Sequence, residues 1–212
     1  MKKLKLVLGL SNMGLFAAAF ANGGMEGPVL PAGTYSFATV PTSWVKVDPQ
    51  GGNVLQTYGA FGLSALGQEG QQAYGWGGSG TTGGSLAQTF DTIAGGTYLV
   101  SFQYVAQLNP NPGPQRLLAE ALNGSTILNS SQIKFTNVAW ITASFSFTAA
   151  TTSTTLRFSD TQDVPVNGIA LNEDWALDSV TVTQSSQGSG VPEPSTFALA
   201  AGALAFLAYR RR

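Results

Sequence analysis

From Tyr98 to Gln107 the chain alternates with a period of two. Tyr98, Val100, Phe102, Tyr104 and Ala106 take one parity, and Leu99, Ser101, Gln103, Val105 and Gln107 the other. Successive side chains of a strand point to opposite faces, so this stretch predicts a long strand with one strongly apolar face. Phe145 and Phe147 alternate in the same way with Ser144, Ser146 and Thr148, as do Leu156 and Phe158 with Thr155 and Arg157. Near the end of the body the phase slips. Trp175 and Leu177 share one parity while Val180 and Val182 take the other, which predicts a bulge at Asp178-Ser179 or a strand buried on both faces. Gly95-Gly96 and the run Asn109 to Pro114 punctuate these strands as turns require. Asn123-Gly124 reads as a two-residue hairpin turn, with Arg116–Leu122 as its first arm. Many short strands without β-α alternation predict an all-β domain over residues 22–184, an antiparallel β-sandwich or jelly roll.

Composition then removes whole classes of chemistry. The 212 residues contain no His and no Cys. A Ser-His-Asp triad, a Cys-His nucleophile, a disulfide and the ordinary zinc, haem and iron–sulfur sites are all excluded. Charge is segregated: Lys2, Lys3 and Lys5 begin the chain and Arg210, Arg211 and Arg212 end it. The body between has four cations, Lys46, Arg116, Lys134 and Arg157, against ten acids, a net of −6. No basic stripe faces a phosphate backbone, so nucleic acid is not an expected partner.

Both ends read as addresses. The three lysines, the apolar stretch Leu6 to Phe20 and the small residues of Ala19-Phe20-Ala21 form a secretory signal over residues 1–21, with signal peptidase as the processing enzyme. The mature chain is expected to begin at Asn22. At the other end, residues 185–190 (Ser185 to Gly190) form a flexible polar linker. In Val191-Pro192-Glu193-Pro194-Ser195 two prolines remove backbone donors, leaving an extended, accessible peptide. An apolar run, 196–209, then predicts a membrane helix of about 21 Å at ~1.5 Å per residue, short for a ~30 Å hydrocarbon core. The basic tail 210–212 should stay cytoplasmic and so places the body outside. This ordered trio resembles the PEP-CTERM sorting signal of Gram-negative bacteria. The resemblance implies that exosortase recognises Val191, Pro192, Glu193 and Pro194, cuts near them, and leaves the protein at the cell surface or in its exopolysaccharide matrix.

The body has its own resemblance. Asn22-Gly23-Gly24-Met25-Glu26, Gln88-Thr89-Phe90, Gly95-Gly96-Thr97-Tyr98, Ser101-Phe102, Trp140, Phe145 to Ala149 and Leu177-Asp178-Ser179-Val180 resemble, in order, the motifs of galactose-binding-like jelly rolls. These include carbohydrate-binding modules and the DUF642-like exported domains. Met25 and Ser179 depart from the family pattern, where a Phe and a second acid are usual. The resemblance implies a structural Ca²⁺ shared by Glu26 and Asp178, helped by backbone carbonyls.

Three functional classes follow. An enzyme without His would need a carboxylate pair, as in glycoside hydrolysis, and the acids near one another in sequence are Asp160 with Asp163 and Glu173 with Asp174 and Asp178. Turn acids are usually only solvated, so the body reads as a non-enzyme. A carbohydrate-binding or adhesive sandwich needs exposed aromatic faces. Trp140 and Trp175 are in phase with core residues, whereas Tyr74 and Trp76 lie among glycines and amides and read as a loop platform, with Trp44, Tyr58 and Gln68 as further candidates. The third class is a matrix protein that contributes bulk without a defined ligand.

Overall fold

The computed structural model describes residues 19–47, 53–60, 63, 69–77, 84–107, 115–161 and 174–186. These hold eleven strands: β1 Tyr35–Ser36, β2 Val45–Val47, β3 Val54–Thr57, β4 Gln72–Trp76, β5 Ser85–Asp91, β6 Thr97–Ala106, β7 Gln115–Asn123, β8 Thr126–Phe135, β9 Ile141–Thr148, β10 Ser153–Asp160 and β11 Trp175–Ser186. Among the described residues there is no helix. The strands form two sheets, six-stranded in the order β1-β3-β4-β11-β6-β9 and five-stranded in the order β2-β5-β10-β7-β8. All pairings are antiparallel. This is the β-sandwich the alternation predicts. The leader, the Val191–Ser195 motif, the 196–209 helix and the basic tail lie outside the described residues, apart from residues 19–21.

The apolar parity of β6 fills the space between the sheets. Tyr98, Val100, Phe102, Tyr104 and Ala106 are buried with Phe145 and Phe147 of β9 and Leu156 and Phe158 of β10. Phe102 meets Phe158 edge to face across the sandwich at 5.1 Å, a geometry that the ring quadrupoles favour. Full burial of each such side chain contributes roughly 1.5–3 kcal/mol. A smaller cluster, Leu63, Ala73, Val105 and Ala176, packs on the other face of the six-stranded sheet. Trp140 sits against it, just before β9 and only partly buried, and so lies outside the strand position predicted for it.

The phase slip is a bulge. β11 pairs with β6 as Asp178↔Gln103 and then Thr181↔Ser101, with the register shifted between them. Ser179 takes φ +52° there. The extra residue turns Trp175, Leu177 and Val180 to the same core despite their mismatched parity. The hairpin between β7 and β8 differs by one residue from the predicted turn. Asn123 pairs with Thr126, so the turn is Gly124-Ser125. Gly124 has φ +58° and occupies the first central position, where a type II′ turn requires glycine. β11 also runs on to Ser186, which pairs with Thr97, so Ser185 and Ser186 belong to the ladder and not to the linker.

One side of the sandwich is closed by β8 lying beside β9, where the Asn129 amide donates to the Ser146 carbonyl at 2.6 Å. The opposite side ends in β1 and β2. Their shortness limits the unpaired edge each presents.

Candidate functional site

The aromatic side chains singled out from sequence do not form a surface platform. Tyr74 and Trp76 belong to β4, and Trp76 is 1% exposed. Its ring stacks on Trp175 at 4.1 Å with 6° between planes, and its Nε1 donates to the Gly84 carbonyl at 2.9 Å. Tyr74 packs edge-on against it at 5.0 Å. Trp44 is also buried, against Phe158, with Nε1 donating to the Asn22 carbonyl at 3.0 Å. All three are core. The glycine beside Trp76 explains the misreading. A Cβ on Gly75 would collide with the Gln56 amide, so this glycine marks a close approach inside a strand and not a loop.

The exposed rings lie elsewhere, on the open side of the sandwich. Tyr35 of β1 is 52% exposed and Phe37 is 44% exposed, and their rings meet edge to face at 5.6 Å. Tyr58, directly after β3, is half-exposed, as are Val45 and Val47 of β2. From β2, Lys46 Nζ donates to the carbonyl of Asn53, just before β3 of the other sheet, at 3.2 Å. This side therefore carries an apolar, aromatic rim over two sheet edges. Of these residues sequence reasoning reached only Tyr58. A two-residue edge strand offers no periodicity by which Tyr35 could be found.

The second site gathers acids around the bulge. Asp178 is completely buried; its Oδ1 accepts the Ser179 N–H at 2.5 Å while its Oδ2 has no hydrogen-bond partner. Burial first, and then the nearby Glu26 and Glu69 carboxylates, push its carboxyl up from an ordinary 3.8 to about 8, against the pull of the Ser179 N–H and side chain. Glu26 Oε1 accepts the N–H groups of Gln71 and Gln72, each at 2.8 Å. Glycines let these groups approach. A Cβ on Gly24 would press on the Glu69 carboxylate, one on Gly70 would strike Glu26, and one on Gly23 would strike the Val180 carbonyl. Sequence reasoning paired Glu26 with Asp178, and in the structure the Glu26 charge acts on Asp178; Glu69 was missed because nothing near it carries a motif.

Donor type and charge fit a hard cation such as Ca²⁺, since a buried carboxylate oxygen without a partner needs either a proton or a cation. Among the described residues, though, no three acidic side chains converge closely enough to hold a metal unaided. Backbone carbonyls or water would have to complete a shell. Asp160 accepts the Trp175 Nε1–H at 3.1 Å in the core, and Asp163 and Glu173 lie outside the described residues.

Comparison with known proteins agrees with both parts of the chain. Residues 190–212 match the family of the PEP-CTERM protein-sorting motif. The chain is thus an exported protein with a C-terminal membrane-anchoring sorting signal. No curated protein matches it in sequence. Among solved structures, it is similar to the Stig cyclase Fisc from Fischerella sp. TAU, in complex with (3Z)-3-(1-methyl-2-pyrrolidinylidene)-3H-indole, with TM-score 0.60, 18% identity, and 81% of this chain and 98% of that one covered. It is similar also to the K1 cleaved adhesin domain of Lys-gingipain from Porphyromonas gingivalis W83, with TM-score 0.50, 16% identity, and coverages of 72% and 99%. A family 35 carbohydrate binding module from Clostridium thermocellum follows, at TM-score 0.45 and 12% identity, covering 67% and 92%. The first two carry the fold, an all-β jelly-roll-like sandwich found in enzymes and binding domains alike.

Proposed function

We propose that this exported sandwich is a non-catalytic surface or matrix protein that binds polysaccharide through its open side. The observation that supports it is the exposed Tyr35–Phe37 pair, with exposed Tyr58 two residues beyond the Gln56 that Tyr35 pairs with, because sugar faces stack on such rings while neighbouring polar groups fix orientation. Tyr74, Trp76 and Trp44 take no part in ligand contact; their role is the core.

Signal peptidase releases the N-terminus in this reading, and exosortase cuts near Val191, Pro192, Glu193 and Pro194. Until that cut the C-terminal helix holds the protein in the inner membrane, and afterwards it resides at the cell surface or in the extracellular matrix of a Gram-negative bacterium. Glu26 and Asp178 hold a structural Ca²⁺, with Glu69 adding charge beside them. The ion would satisfy the unpartnered Asp178 oxygen and tie the N-terminal segment to the bulge of β11.

Retention of the exported protein on insoluble polysaccharide tests this reading. Retained wild type that is lost in a Tyr35→Ala, Phe37→Ala double variant supports it. No retention on any glycan would leave the body a structural matrix component, and turnover of the polysaccharide would return it to the enzymes.

A further inference from the structure

The start of the mature chain is the point at which the structure adds most. Phe20 and Ala21 are integral to the domain. The Phe20 ring meets Trp44 edge to face at 5.6 Å and Phe90 at 5.4 Å, and packs on the main core. It also walls a cleft of about 350 Å³ that it shares with Phe90, Tyr98 and Val182. Ala21 is held at both backbone groups by one side chain: its N–H donates to Gln88 Oε1 and its carbonyl accepts from Gln88 Nε2, each at 2.8 Å. Gln88 is 3% exposed. Two residues on, the Gly23 carbonyl accepts the Val180 N–H at 2.9 Å. The segment therefore spans from β5 of one sheet to β11 of the other.

A chain beginning at Asn22 would lose the Phe20 ring and leave both ends of a buried amide without partners, each a costly group to strand. The sequence provides an alternative. Ala17-Ala18-Ala19 also places small residues at the two positions the peptidase pocket reads, and Leu6 to Phe16 is then an eleven-residue apolar region, inside the usual ~7–15. We propose that signal peptidase cuts after Ala19, so that the mature protein begins at Phe20 and uses Phe20-Ala21 to close the sandwich. This rests on the export reading.

The test expresses the full chain in a secreting Gram-negative host and sequences the N-terminus of the exported protein. Phe20 as first residue is expected. Asn22 there, or any other exported N-terminus, overturns the proposal alone; a chain that stays uncleaved in the cell overturns the export reading with it. Two variants separate the sites. Ala21→Gln spoils only the later cut and, its side chain being exposed, should be exported and processed like wild type. An accumulated Ala21→Gln precursor would contradict the proposal. Phe20→Ala provides a readout in the mature protein: a residue removed with the leader cannot alter its melting. Loss of the ring should lower Tm by about 5 °C, from the cost of truncating a half-buried Phe in a domain of this size. An unchanged Tm overturns the assignment.

Discussion

Asp178→Asn should stabilise the calcium-free protein at alkaline pH and gain less than wild type from added Ca²⁺. The folded state raises the Asp178 carboxyl from 3.8 to about 8. Between those values the folded protein keeps a proton that the unfolded chain has released. Stability therefore falls as pH rises through that window, and levels off above about 8. The slope is at most about 1.4 kcal/mol per pH unit, so the whole interval costs on the order of 5 kcal/mol. Asn keeps an oxygen for the Ser179 N–H and cannot ionise, which removes the cost. Metal-free variant and wild type should melt together near pH 4. By pH 8 the variant should lead by about 10–20 °C, at roughly 2–4 °C per kcal/mol for a domain of this size. Added Ca²⁺ narrows the lead, because wild type gains about 2.7 kcal/mol at 100 times its dissociation constant and the variant gains less. The assay is thermal unfolding by circular dichroism across pH 4–8, with chelator and then with millimolar Ca²⁺ at fixed ionic strength. Parallel pH profiles in chelator would refute the buried, proton-holding carboxyl. Coincident curves with and without Ca²⁺ would refute the cation.

Trp76→Ala should destabilise by about 3–5 kcal/mol in chemical denaturation, since it empties a fully buried site stacked on Trp175; an unchanged midpoint would return Trp76 to the surface. Gly23→Ala should cost more than an ordinary glycine replacement, because the added Cβ meets the Val180 carbonyl, and a Tm within 2 °C of wild type, about what ~1 kcal/mol produces, would show that the segment can shift aside. Mass spectrometry of surface protein should find no peptide covering Phe197 to Arg212, whereas an intact tail on most molecules would contradict exosortase processing.

What the sequence revealed depended on periodicity. β6, β9 and β10 are long enough for alternation to declare their inner faces, and the parity change around Asp178-Ser179 marked an irregularity, a bulge or a doubly buried strand, that the register shift identifies as a bulge. Arg116–Leu122, rich in helix formers, was legible as a hairpin arm because seven residues are marginal as a helix and Asn123-Gly124 follows them. The aromatic site was not legible. Gly75 and Gly77 around Trp76 look like loop punctuation, yet Gly75 is required by the Gln56 amide lying against the strand. Conversely, Tyr35 and Phe37 owe their exposure to β1 being a two-residue edge, a fact of sheet order that no local pattern encodes. Glu26 and Asp178 could be paired through the resemblance of their motifs, but Glu69 reaches them only through the fold.

The most direct test of the central claim is retention of mature wild-type protein on insoluble polysaccharide from its host's own matrix, compared with the Tyr35→Ala, Phe37→Ala variant. Wild type should be retained and the variant bound at least tenfold more weakly, about 1.4 kcal/mol, with melting temperatures within a few degrees because both rings are half in solvent. Equal retention of the two proteins, or none by wild type, would contradict the account.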